Sequence, residues 1–210
     1  MAALPAGDTT LPTTLATTIT RLRRMLALDL TVFDEVRRDP RATSSSLVVA
    51  AGSMLLLALG GWLWWVRSDL GDAGTVFLKS VLIGTLFSLA LWLVWLLAAY
   101  AVLQRVARLT VRIEELLRCA GLATLPLALG LLMVVPAISF AAGLFAVAAW
   151  VLTTQIAIDR CAPTAGGAGV LANLAGFAIW AVAMSLLATA GDPLAPGPFL
   201  ADSLWEAVAG

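Results

Sequence analysis

Few side chains in this 210-residue chain could do chemistry, and their types narrow which chemistry that is. Histidine is absent, which removes the usual proton shuttle, the commonest metal ligand and the ordinary axial ligand of haem. Ser53, Ser88, Ser139 and Ser185 lie in apolar runs without a base to activate them, and there are neither paired carboxylates in those runs nor a glycine-rich phosphate loop. The two thiols, Cys119 and Cys161, lack a CxxC spacing, and two thiols without other soft ligands hold zinc poorly. Neither an enzyme nor a bound cofactor or metal is expected. Thirteen basic and thirteen acidic residues cancel, so no bulk field recruits nucleic acid. What remains is one polar pair deep in apolar sequence, Gln155 and Asn173. Its ordinary reading is an interhelical hydrogen bond worth about 0.6 kcal/mol, and its alternative is a polar path for a small carrier or channel.

The elements that must position these residues are membrane spans. Hydrophobic residues make up 61% of the chain and charged ones 12%, an excess that a water-facing domain of this size cannot bury. The fold class is therefore an all-α integral membrane protein. Five spans are predicted at about 46–66, 76–103, 120–135, 137–158 and 169–190, the first and second long enough for the roughly 20 residues a bilayer needs. Residues 1–14 read as disordered, and 191–210 as a tail outside the membrane whose last residues form a short surface helix. Between 15 and 45, Leu15, Ile19, Leu22 and Leu26 recur at helical spacing, with arginines mostly off that stripe. This predicts an amphipathic helix in the membrane interface, or one packed on the protein's own loops. Thr31 and Asp34 suggest a capping box for a second short helix, stopped at Asp39-Pro40. At 104–119, Arg105, Arg108 and Arg112 fall on one helical face, Glu114 and Arg118 form an i,i+4 pair, and a second interfacial helix is expected. Arg21, Arg23, Arg24, Arg105, Arg108 and Arg112 are the candidate lipid-headgroup contacts.

Counting Lys and Arg orients the chain. Arg21, Arg23, Arg24, Arg37, Arg38, Arg41, Arg105, Arg108, Arg112, Arg118 and Arg160 fall on one side, against Arg67 and Lys79 on the other. The N-terminus is expected inside and the C-terminus outside, with both cysteines at the cytoplasmic boundary. They meet there if the third and fourth spans form a hairpin. A reducing compartment argues against a stable disulfide and for free, partly buried thiols. Twelve arginines against one lysine, with abundant Ala, Leu and Gly, point by composition to a GC-rich bacterial source and its inner membrane.

The stretch "LLRCAGLATLPLALGLLMVVP", continued to the end of the fourth span, carries Arg118, Gly121, Pro126, Pro136 and Trp150. In that order and spacing it resembles the Yip-one domain family of five-span membrane proteins, in its bacterial branch. The resemblance implies the five-span fold and its topology. Eukaryotic members bind prenylated Rab-type GTPases through an acidic-Leu-Tyr-Gly-Pro motif, which is missing here: the one tyrosine, Tyr100, sits inside the second span.

Small residues suggest where helices meet. Ala168, Ala172 and Gly176, continued by Trp180, make a ridge on the fifth span, and Ser139 and Gly143 make one on the fourth. Such ridges let backbones approach closely, against internal helices or another subunit. The function expected is a non-enzymatic membrane scaffold or accessory subunit, partnered by membrane lipids and by another membrane protein or a second copy. A small carrier or channel is the alternative, and a membrane-shaping protein the weaker one.

Overall fold

A computed structural model describes residues 10–69, 72–188 and 194–201. Among these residues all regular secondary structure is helical, with no strand. Five helices are long and apolar enough to cross a membrane, which is the make-up of a multi-pass membrane protein. The spans are Ala42–Arg67, Ala73–Arg105, Ile113–Val134, Pro136–Cys161 and Gly167–Leu187. Two further helices precede them, α1 (Thr10–Leu26) and α2 (Val32–Arg38).

Three expectations for the segments outside the spans change. Helix α1 begins at Thr10, inside the stretch read as disordered, because Pro12 falls in its first turn, where a missing N–H costs nothing. The capping box does not form: Thr31 is itself helical in backbone, and its hydroxyl donates to Asp29 at 2.5 Å instead. Arg105, Arg108 and Arg112 do not share a helical face. The second span ends at Arg105, Arg108 adopts a left-handed backbone (φ 54°), and a new helix starts only at Ile113. That helix runs straight into the third span, so there is no separate interfacial helix at 104–119.

The third span shows what its two prolines do. Ile113–Ala123 is α-helical and Leu125–Val134 winds more tightly as a 3-10 helix. Ten residues then rise about 20 Å instead of about 15 Å, which lets a short apolar stretch reach across. At the switch, Leu127 N–H bonds back to the Thr124 carbonyl, which leaves the Ala123 carbonyl without its α-helical donor. The Thr153 hydroxyl of the fourth span supplies one at 2.7 Å, and Thr124 does the same for Gly121 at 2.7 Å. Freed backbone groups are re-satisfied by neighbours, as lipid-surrounded sequence requires. Gly121 also lets the third span touch the first, since a Cβ there would lie 2.6 Å from the Ser46 carbonyl oxygen. Pro136 opens a single 3-10 turn, and the third and fourth spans pack as the expected hairpin.

The interior is aromatic. Trp150 meets Phe177 and Trp180 edge-on, with ring centres 4.7 and 5.3 Å apart, and Phe177 also meets Trp95 at 5.8 Å. The tail departs most from expectation. Ala195 and Leu200 are fully buried, and Phe199 packs edge-on against Trp180 at 5.3 Å. Instead of lying outside the bundle, 194–200 inserts between spans. Three glycines make the slot: a Cβ at Gly61 would lie 2.8 Å from Gly197 O, at Gly84 2.7 Å from Leu194 O, and at Gly143 2.8 Å from the Pro198 ring. Non-helical backbone at such depth is tolerated only when protein covers it, and Ser80 adds a hydrogen bond to the Ala195 carbonyl at 3.2 Å. The terminal surface helix expected after it lies outside the described residues.

Candidate functional site

The charged residues of 21–41 gather at one end of the bundle, where α1 and α2 cap the third and fourth spans. Val32, Phe33 and Val36 of α2 are buried against Cys119, Leu122, Ala123 and Ala157. That apolar contact seats the cap, and ion pairs fasten it. Arg21, only 8% exposed, reaches Glu35 at 2.9 Å and Asp39 at 2.7 Å. Arg24 holds Asp29 at 2.8 Å and Glu35 at 2.6 Å. Arg21 and Arg24 therefore bind the protein's own carboxylates, because the chain folds back after α1 and brings Asp29, Glu35 and Asp39 to them.

A second chain of contacts joins cap to spans. Arg160, at the end of the fourth span, pairs with Asp34 at 2.8 Å. Arg37 donates to the Arg160 carbonyl at 2.6 Å, and Arg118 donates to the Arg37 carbonyl at 2.7 Å. Arg118 also donates to the backbone carbonyl of Glu114, at 3.0 Å, and this replaces the carboxylate pair expected at that spacing. The Arg37 carbonyl lies in the last turn of α2, where a helix leaves its acceptors open, and the buried guanidinium supplies a donor there. Arg23, Arg38, Arg41, Arg105, Arg108 and Arg112 stay exposed at the same end.

Under the cap lie the thiols. Cys119, fully buried, donates to the Phe33 carbonyl at 3.6 Å, and Cys161, half-buried, to the Glu115 carbonyl at 3.7 Å. The two thiols neighbour each other and both are free. Among the described residues, no three His, Cys, Asp or Glu side chains converge on one point as a metal cluster would require.

The cap is sensitive to acid. Thr31, and after it Arg24, hold the Asp29 carboxyl down at about 2. Arg21 holds Glu35 and Asp39 below their ordinary values of 4.5 and 3.8. A carboxyl whose folded pKa lies below its unfolded one stabilises the fold above the unfolded value, and that contribution disappears as pH falls through the folded value. Hydrogen-exchange protection of 15–26, corrected for intrinsic rate, is therefore expected to disappear between about pH 4.5 and about pH 2 while the spans keep theirs. Protection of α1 that survives at the bottom of that window would refute the ion-paired seating.

The other predicted site residues fall inside the bundle. Gln155 and Asn173 do not bond to each other: Gln155 donates to Asp159 one turn on at 2.9 Å, and Asn173 donates to the Val151 carbonyl at 3.2 Å. Each finds a nearer partner, on its own helix for Gln155 and on the neighbouring backbone for Asn173. Ser139, Gly143, Ala172, Gly176 and Trp180 are all buried within the protomer, and Ala168 is half-buried, so the ridges face internal helices and the tail. Trp150 is the centre of the aromatic core. Compared with known protein families, curated proteins and solved structures, the chain matches none.

Proposed function

We propose that the chain is a non-enzymatic scaffold or accessory subunit of a bacterial inner membrane, similar to the Yip-one five-span proteins, with its N-terminus in the cytoplasm. The observation that carries this reading is how the cap sorts its charge. Asp29, Asp34, Glu35 and Asp39 are all held by Arg21, Arg24 or Arg160, while Arg37 and Arg118 are turned onto backbone carbonyls. Among the described residues, the outward face at that end then presents Arg23, Arg38, Arg41, Arg105, Arg108 and Arg112, with Glu114 and Asp159 as its exposed carboxylates not paired with an arginine. A rigid basic platform above a membrane bundle suits anionic lipid headgroups and a neighbouring membrane protein.

Each surface arginine contributes about 1 kcal/mol to headgroup binding, so changing Arg105, Arg108 and Arg112 together to Gln is expected to weaken retention of anionic lipid about a hundredfold at low salt. Native mass spectrometry of the protein released from nanodiscs reads this directly. Equal retention by the triple variant would remove the lipid part of the reading. Purification as a lone chain under mild extraction, with solute flux in reconstituted vesicles, would replace the scaffold by a carrier.

A further inference from the structure

Cys119 and Cys161 are two free thiols that a scaffold role leaves unused. Cys119 sits fully buried on the third span, directly beneath Phe33 of α2, to whose carbonyl its thiol donates. Cys161 ends the fourth span, half-buried, and its thiol reaches the carbonyl of Glu115. Glu115 stands one helical turn before Cys119, so the bond to it places the Cys161 sulfur beside the Cys119 position. Both residues also belong to the one apolar patch that seats α2. We propose that Cys119 and Cys161 form a reversible dithiol–disulfide pair, and that its oxidation by a small-molecule disulfide loosens α2 from the third span.

The exposures assign the roles. The half-buried Cys161 meets the oxidant first: its thiolate attacks one sulfur of RS–SR, the S–S bond breaks, and RS⁻ leaves with the electron pair and takes up a proton. The buried Cys119 then attacks the Cys161 sulfur of the mixed disulfide, the protein S–S bond forms, and a second RS⁻ leaves and is protonated. Two protein thiols and one RS–SR become one protein disulfide and two RSH. A reducing cytoplasm keeps such a pair open, and a shift in the thiol pool closes it. Closure removes the S–H that Cys119 donates to Phe33. The first turn of α2 loses a hydrogen bond, and an acceptor oxygen is left facing a sulfur with no hydrogen.

The full-length protein in nanodiscs is incubated with oxidised and reduced glutathione over a range of ratios, and read by intact mass and hydrogen exchange. The wild type is expected to lose two hydrogens, about 2 Da, without keeping a glutathione adduct, and Cys119→Ser to retain one adduct on Cys161. Cys161→Ser is expected to stay unmodified. Amide exchange over 32–38 is expected to quicken at least about threefold in the oxidised wild type. Two thiols that remain alkylatable at ratios that oxidise a reference dithiol, or a persistent adduct on the wild type, would overturn the pair. A disulfide that forms with no change in exchange over 32–38 would overturn its link to α2.

Discussion

Changing Gly60 to Ala is expected to break the bundle, while the same change at Gly52, about two turns earlier in the same span, is expected to leave it intact or slightly more stable. The two positions are alike in type and helix, and they differ in what lies outside them. A Cβ at Gly60 would overlap the carbonyl oxygen of Gly130 and come within 2.7 Å of its carbonyl carbon and 2.9 Å of Leu131 Cα. A Cβ at Gly52 meets nothing within 4 Å. The obstacle at Gly60 is backbone, which cannot swing aside as a side chain does, so the first and third spans must separate. Between helices in lipid, close backbone contact and dispersion supply most of the attraction. Overpacking of a side chain costs about 1–3 kcal/mol, and a backbone clash belongs at or above the top of that range. Gly52→Ala removes only the glycine penalty, a gain of up to about 1 kcal/mol. Unfolding by SDS titration in mixed micelles reads both. A midpoint for Gly60→Ala equal to that of the wild type would mean that the spans do not meet at Gly130.

That contact was open to the sequence only in part. The two prolines and the tight Pro136 turn do specify a hairpin, because a proline can neither donate nor continue an α-helix, and this restriction is local. The same locality made the five apolar runs readable. What the sequence concealed is non-local. "APGPF" reads as part of a tail outside the membrane because its partners, Gly61, Gly84 and Gly143, come from three separate spans, and a glycine gap leaves no apolar pattern to detect. Counting arginines treats every guanidinium alike, whereas folding turned Arg21 and Arg118 inward and left Arg23 and Arg112 outward. The helical pattern at 104–119 misled for a different reason. It was periodic, but one left-handed residue, Arg108, cuts it where no glycine or proline announces a break. For Gln155 the signal was present and outweighed: Asp159, four residues on, is the neighbour that a helix supplies at no cost in chain entropy.

The ridge on the fifth span allows the sharpest test, because its two readings predict opposite results. Were Gly176 part of a surface for another subunit, Gly176→Leu would release the partner and leave the protomer folded. In the structure the residue lies against Trp95: a Cβ would overlap Trp95 Cδ1 and come within 2.6 Å of Nε1 and 2.8 Å of Cγ. Trp95 is fully buried and cannot move outward, since Phe177 packs on it and Phe177 in turn is held by Trp150 and Trp180. Gly176→Leu is therefore expected to destabilise the protomer itself by about 3 kcal/mol or more, seen as a lower SDS midpoint and loss of a monodisperse elution peak. The second variant distinguishes a specific clash from general damage. Trp95→Ala alone opens a void and is costly, yet Trp95→Ala with Gly176→Leu lets the new side chain occupy that void. The pair should recover about 1–3 kcal/mol relative to the sum of the two single changes. Additive losses would show that the second and fifth spans do not meet at this residue, and an undisturbed Gly176→Leu protomer would return the ridge to the surface.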